Sequence, residues 1–459
     1  MSIPNRAAGV LLPVASLPGA LGIGTFGAAA RRWIDFLSSA GQRYWQILPL
    51  GPTGYGDSPY QSDSAFAGNP WFIDLDELRG EGLLEQSDYA GIDWGDGKLV
   101  AYDALRANRE RILRLAFERF EATDEYRAFC GDNAYWLDAY AEYTQKGEYV
   151  KFVQFKFFEQ WGKLRDYAHS KDVEIIGDIP IYVSLHSSDV KSRPQWFQLD
   201  DNALPTAVAG CPPDSFSQTG QLWGNPLYDW DALRKDGYKW WISRIRAMLK
   251  LVDVLRIDHF RGLEGYYAIP AADNTAENGV WRTGPGADFI DAILRELPKA
   301  RIIAEDLGFL TDGVRELMAH SGFPGMKVLQ FAFDSRDANG GYLPHTYTKN
   351  CVVYTGTHDN DTSLGWTETA PPEDVALAME YLGVKAKKAV PRALIRVAYQ
   401  STANLAVIPI QDWLELGSAA RINTPSTVSP KNWSYRLDET ALTPALAAEM
   451  RRMAVTVGR

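Results

Sequence analysis

Four apolar, β-rich runs of this chain end in acids. "VEIIGDIPIYV" (173–183) carries Asp178, "VDVLRIDHF" (252–260) carries Asp258, "ARIIAEDLG" (300–308) carries Glu305 and Asp306, and "CVVYTGTHD" (351–359) carries Asp359. Any one of these could be a helix N-cap or a surface acid. Four run ends of the same kind point instead to carboxylates gathered at one mouth. Cleavage of a glycosidic bond with retained configuration needs such a set: one carboxylate ionised as nucleophile, and a second kept protonated as acid and then reused as base. Arg256 lies two residues before Asp258. On a strand both side chains therefore point to the same side, and the guanidinium is expected to lower the pKa of Asp258 and keep it ionised. Glu305 follows an Ile-Ile-Ala stretch and neighbours Asp306, so burial and a like charge are both expected to raise its pKa, as an acid catalyst requires. Asp359, directly behind His358, is the third carboxylate, suited to holding substrate hydroxyls and stabilising a positive transition state.

Other chemistries find less support. The chain has no G-x-S-x-G, no G-x-x-x-x-G-K-[ST] and no H-E-x-x-H. Gly22, Gly24 and Gly27 satisfy G-x-G-x-x-G formally and precede a helical pattern. No acid about 20 residues further on ends a second strand, as a dinucleotide site would require; "YWQILPLG" stands there instead. The six histidines are dispersed, and "THDND" lacks the alternating Asp spacing of a calcium loop. Neither a metal nor a cofactor is expected.

To bring these acids together the chain must align the ends of its strands. Besides the four acid-ended runs there are "GVLLPVAS" (9–16), "YWQILPLG" (44–51), "MKVLQFAF" (326–333) and "LAVIPIQDW" (405–413), which makes eight. Several are preceded by apolar positions at helical spacing, as in 26–41, 152–171 and 288–297. Strands alternating with helices imply right-handed crossovers and a parallel sheet. Eight nearly continuous apolar strands, buried on both faces, suit a closed (β/α)8 TIM barrel better than the alternative, an open doubly wound sheet. The stretches after the second and third runs are longer than crossover helices require. Residues 1–459 are read as a single catalytic barrel, with insertions at approximately 52–150 and 184–250 forming subdomains over the C-terminal face.

The bulk numbers agree with an ordinary globular protein: 46% hydrophobic and 23% charged residues. A net charge of −11 argues against a nucleic-acid or anionic-membrane partner, since both reward clustered Lys and Arg. The 15 Trp, 22 Tyr and 19 Phe supply flat rings with polar handles, which suit sugar faces as well as cores. Cys130, Cys211 and Cys351 are widely spaced and form no CxxC pair, so a reducing, cytoplasmic setting is expected. Pro13 interrupts the only apolar run near the N-terminus and a single Arg precedes it, so a secretory signal is not expected there.

"GDIPIYV" (177–183), "LRIDHFRG" (255–262), "AEDLG" (304–308) and "YTGTHDNDT" (354–362) resemble, in order and spacing, the signature segments of the amylomaltases, the 4-alpha-glucanotransferases or disproportionating enzymes of the α-amylase clan. "SLPGALGIGTFG", "LPLGPTGYGDSPYQSDSAFAGNPWFIDL", "PPDSFSQTGQLWGNPLYDW", "LQFAFD" and "RINTP…NWSYRL" extend the resemblance almost from end to end. The resemblance implies transfer of α-1,4-glucan segments to the 4-hydroxyl of an acceptor glucan or glucose, with malto-oligosaccharides as partners. It makes Asp258 the nucleophile, Glu305 the acid/base and Asp359 the transition-state stabiliser. By the same match Ser58, Tyr60, Asp178, Arg256, His358 and Asp306 hold the sugar at the cleavage point, and Asp214, Gln221, Trp223, Phe331 and Asn423 line the glucan groove. The sequence departs from the family pattern at Ser215, where a tyrosine is common, and around "SSDVK" (187–191), where His186 and Lys191 replace the more usual acid and tryptophan. Loss of the ring at 215 removes a stacking surface worth about 0.5–1.5 kcal/mol, which bears on acceptor preference. Two alternatives accompany this reading: an α-glucan hydrolase with the same three carboxylates, and a catalytically inactive glucan-binding protein. In a third, purely structural account the acids are salt bridges of the barrel.

Overall fold

The computed structural model describes residues 6–213, 218–308, 310–335 and 341–459. Each of the eight apolar runs overlaps one strand: β1 Ala7–Leu11, β2 Tyr44–Gln46, β3 Glu174–Ile179, β4 Val254–Ile257, β5 Ile302–Ala304, β6 Gly325–Val328, β7 Cys351–Tyr354 and β8 Leu405–Pro409. They form one sheet in the order β6-β7-β8-β1-β2-β3-β4-β5, with every pairing parallel. At the seam between β5 and β6 the Ala304 N–H donates to the Pro324 carbonyl at 3.0 Å, and the Met326 N–H donates to Asp306 Oδ1 at 2.6 Å. This is the (β/α)8 barrel. Its strands are buried along their whole length at β1 and β8, which is why they read as unbroken apolar runs rather than alternating ones.

The strands are shorter than the runs they overlap. The tail of each run leaves the hydrogen-bonded ladder at the C-terminal mouth as a loop or a short helix, as where 329–333 turns into a 3-10 helix and 410–413 into an α-helical turn. The helical patterns become helices Ala28–Ser39, Gly147–Ser170 and Gly286–Glu296. Trp45 on β2 packs edge-on to Trp33 of the first helix, with ring centroids 6.4 Å apart, and tilted against Trp161 of the second, also at 6.4 Å. All three rings are fully buried, so large aromatics join the barrel to its outer layer.

Between β2 and β3 stand the helices Tyr102–Glu118 and Asp124–Thr144. A second, antiparallel sheet has the order Gln221–Pro226, Ala207–Cys211, Gly265–Pro270, Val280–Thr283. It draws two strands from the 184–250 stretch and two from 265–283, a segment the sequence reading leaves within the barrel. Antiparallel pairing across that distance is set by tertiary contact, and the exposed pattern of Val280–Thr283 carries no apolar signal that sequence periodicity could detect.

The formal G-x-G-x-x-G segment has a packing role. A Cβ on Gly24 would collide with the Val14 carbonyl, and one on Gly27 with the Asp74 carboxylate. Asp74 is buried; it accepts from Thr25 Oγ1 at 2.6 Å and caps the helix Leu75–Gly80 through the Glu77 N–H at 3.0 Å. Gly27→Ala is expected to cost about 1–3 kcal/mol by displacing that cap. Thermal denaturation checks this, and an unchanged melting temperature would refute it.

Candidate active site

The register of the barrel brings the acids together. Asp178 on β3 lies level with Arg256 on β4, and Ile257 of β4 lies level with Ala304 of β5. Asp258 and Glu305 are therefore the next residues on adjacent strands as both leave the sheet. Arg256 is 4% exposed. Its Nη1 donates to Asp178 Oδ2 at 2.6 Å and to Asp258 Oδ1 at 2.8 Å. Tyr60, on the first insertion, donates its hydroxyl to the same Asp178 oxygen at 2.7 Å. Burial opposes the charge on Arg256, but the two carboxylates more than offset it and push its pKa up.

Glu305 is aimed by backbone. The Leu307 N–H donates to Oε1 and the His259 N–H to Oε2, each at 2.7 Å. Burial and then the charge of Asp258 push its pKa up to about 7. Asp306 is not the cause, contrary to the sequence expectation. It turns away to the seam and accepts the Met326 N–H. For Asp258 the expected direction is reversed: burial outweighs the Arg256 guanidinium and pushes its pKa up to about 6. The order survives, with Asp258 losing its proton before Glu305, because only Asp258 touches the cation.

Asp359 is held from the far side. Asn423 Nδ2 donates to its Oδ1 at 2.7 Å, His358 Nε2 lies 3.5 Å from its Oδ2, and Arg421 donates to its backbone carbonyl at 2.6 Å. The His358 ring stacks on Tyr60 at 5.2 Å, and Trp433 tilts against both, at 5.8 and 6.0 Å. Trp223, from the second sheet, stands opposite, its Nε1 donating to Gln221 Oε1 at 3.1 Å.

These groups line one cleft of about 670 Å³. Ser58, Tyr60, Gln221, Trp223, Asp258, His358, Asp359 and Asn423 face it, together with Trp433, Tyr182, His259 and the segment 424–428. Asp178, Arg256 and Glu305 support it through the bonds above. Phe331 and Asp306 are not on its lining; Phe331 instead stands edge-on to Tyr342 at 5.7 Å. Asp214 and Ser215 lie outside the described residues. His186 and Lys191 also lie off the cleft. Both meet Tyr143, whose hydroxyl donates to the His186 carbonyl at 2.7 Å while Lys191 Nζ sits 5.7 Å from the ring centroid. Sequence reasoning misses Trp433 and Arg421. One tryptophan among 15 carries no signal of its own, although Trp433 stands in a segment singled out for its resemblance.

The arrangement offers a charged carboxylate, a protonated carboxyl and a third acid over a wide aromatic-walled cleft, which is the equipment for glycosyl transfer. Among the described residues no cluster of three or more His, Cys, Asp or Glu is placed to hold a metal ion, and no helix is long and apolar enough to cross a membrane. Comparison with known proteins agrees with this chemistry. The family model described as 4-alpha-glucanotransferase matches residues 12–145 and 141–441. A 4-alpha-glucanotransferase of Clostridium butyricum is 45% identical over 97% of this chain and 99% of its own length. One from Thermus thermophilus is 43% identical over the full length of both. The solved structure of amylomaltase from Streptococcus agalactiae in complex with acarbose superposes with a TM-score of 0.95 at 37% identity, covering 99% of each chain. Matched from end to end in sequence and in backbone, the chain belongs to the 4-alpha-glucanotransferase family.

Proposed function

We propose that Asp258, Glu305 and Asp359 carry out the family's glucan transfer by a retaining double displacement. An α-1,4-glucan lies across the cleft. Glu305 gives its proton to the glycosidic oxygen while Asp258 attacks the anomeric carbon, so the C–O bond breaks and a glycosyl ester on Asp258 forms. Asp359 faces the positive charge that develops on the ring. The released fragment leaves with its new 4-hydroxyl. An acceptor glucan then offers its own 4-hydroxyl, Glu305 takes that proton, and the oxygen displaces the Asp258 carboxylate to make a new α-1,4 bond. Tyr60, Asp178, Arg256 and His358 hold the sugar at the reacting bond; Gln221, Trp223 and Asn423 carry the chain on either side. Asp306 and Phe331 act from outside the cleft lining, Asp306 by fixing the seam beside Glu305. The insertions at approximately 52–150 and 184–250 wall the site as subdomains.

The observation that carries this reading is the opposed support of the two central acids: a guanidinium on Asp258 and, among the described residues, backbone N–H groups on Glu305. Maltotriose as sole substrate tests it. Transfer yields glucose and longer oligomers while total reducing ends stay constant; rising reducing ends without longer products would mean hydrolysis. The wide spacing of the three cysteines supports a cytoplasmic setting for the reaction.

The shifted acids also set a pH profile. Asp258 must be ionised, so activity is lost as pH falls through about 6. Glu305 must be protonated, so activity is lost as pH rises through about 7. The kcat/KM profile is therefore expected to be a narrow bell between these values. Unshifted carboxyls would centre it near pH ~4, and an optimum there would contradict the arrangement.

A further inference from the structure

His259, in the "RIDHFRG" stretch, aims Glu305 with its backbone N–H, but the mechanism above leaves its side chain without a task. Its backbone is left-handed, with φ 53° and ψ 48°, a conformation uncommon for residues other than glycine, in which asparagine, aspartate and histidine are enriched and which β-branched or bulky side chains avoid. That conformation aims its N–H at Glu305 Oε2, 2.7 Å away, and the next N–H, of Phe260, at the Glu305 carbonyl, 3.0 Å away. The ring is confined as well. It stands edge-on to Trp223, with centroids 4.9 Å apart and planes at 88°. Gly262 leaves it room on the other side: a Cβ there would lie 3.1 Å from His259 Cδ2 and 2.9 Å from Ile181 Cδ1. The ring Nε2 is buried and has no hydrogen-bond partner among the described residues. Burial first, and then the Arg261 charge, push the imidazole pKa down to about 3, so the ring is neutral throughout the working range and acts by shape.

We infer that His259 is a positioning residue that couples the Trp223 wall of the cleft to the carboxyl of Glu305. A sugar packed on Trp223 fixes the indole, the indole fixes the His259 ring, and the ring holds the left-handed backbone whose N–H orients Glu305. Water entering the cleft makes no such contact. Glu305 is then well aimed as a base for an acceptor glucan and poorly aimed for water, which favours transfer over hydrolysis by orientation of the general base. This inference rests on Glu305 being the acid/base and adds to that role a dependence on acceptor occupancy.

The test compares His259→Ala, His259→Asn, Trp223→Ala and the His259→Asn/Trp223→Ala double variant of the full chain, with maltotriose as substrate. Loosening the His259 N–H removes a bond that favours the Glu305 carboxylate, so His259→Ala is expected to move the basic limb of the pH profile upward. Asparagine tolerates the left-handed backbone, so His259→Asn should keep that limb while lowering the ratio of transfer to hydrolysis about tenfold, the size of coupling expected between touching groups. Trp223→Ala should lower the ratio equally, and the double variant no further. A ratio unchanged in His259→Asn, or a double variant whose loss is the product of the two single losses, overturns the coupling. His259→Asn decides the case by itself if the alanine variant does not fold. Glu305→Gln separates the two claims: retained activity there would defeat the acid/base assignment, whereas an inactive Glu305→Gln beside an unaltered His259→Asn would defeat the coupling alone.

Discussion

Asp258→Asn is expected to abolish glucan transfer, by a factor on the order of 10⁴–10⁶ in kcat, while leaving the barrel folded. The amide cannot form the glycosyl ester, and no neighbouring acid can replace it, since Glu305 is held by backbone N–H groups and Asp359 by Asn423. Stability should move the other way. The folded state raises the pKa of Asp258 from its ordinary value to about 6, so it binds a proton that the unfolded chain has already released. The contribution of this group to stability therefore falls as pH rises from about 4 to 6. Asparagine removes that slope, and Arg256 keeps Asp178 as a partner at 2.6 Å. The melting temperature at pH 7 should accordingly equal or exceed that of the unaltered protein. A structural salt bridge predicts the reverse, a lower melting temperature with activity reduced only in proportion to the folded fraction. Denaturation scans beside single-turnover assays distinguish the two.

Arg256→Met should produce the largest loss of stability. Its guanidinium is the shared cation of Asp178 and Asp258; of the Asp178 carboxylate, Oδ2 keeps only the Tyr60 hydroxyl without it, and Oδ1 is buried with no hydrogen-bond partner among the described residues. Removing one member of a buried ion group leaves the rest uncompensated and costs about 3–5 kcal/mol. The sign of the pH dependence follows from what remains. Without the guanidinium the Asp258 carboxyl rises beyond about 6, since Arg256 is what now restrains it. A carboxyl with a raised folded pKa loses stability as pH rises above its unfolded value near 4. The deficit of Arg256→Met should thus be small below pH ~4 and greatest at neutral pH. The acid limb of the activity profile should shift upward in the same variant, because the nucleophile is ionised over a narrower range. Equilibrium unfolding at several pH values checks the first expectation; a deficit independent of pH would show that the cation serves packing alone.

The eight strands and the acids at their ends were legible because the signal is local. A strand buried on both faces must be apolar throughout, and the residue that follows it must face the mouth. Arg256 lies on β4 and Asp258 directly follows its last residue, so their contact followed from alternation carried one residue past the strand. The roles assigned through the family resemblance likewise rest on short segments whose order survives in the sequence. What only the tertiary structure decided depends on residues far apart in the chain. Tyr60 reaches Asp178 across 118 positions, and Asn423 reaches Asp359 across 64. The second sheet joins strands from two segments, and Asp306 turns to the seam instead of to its neighbour Glu305. The protonation of Asp258 belongs here too. Adjacency to Arg256 implied a lowered pKa, but burial by walls from several parts of the chain outweighed it. Charge pairs between near neighbours can be read from a sequence, whereas the loss of water around them is a property of the assembled fold.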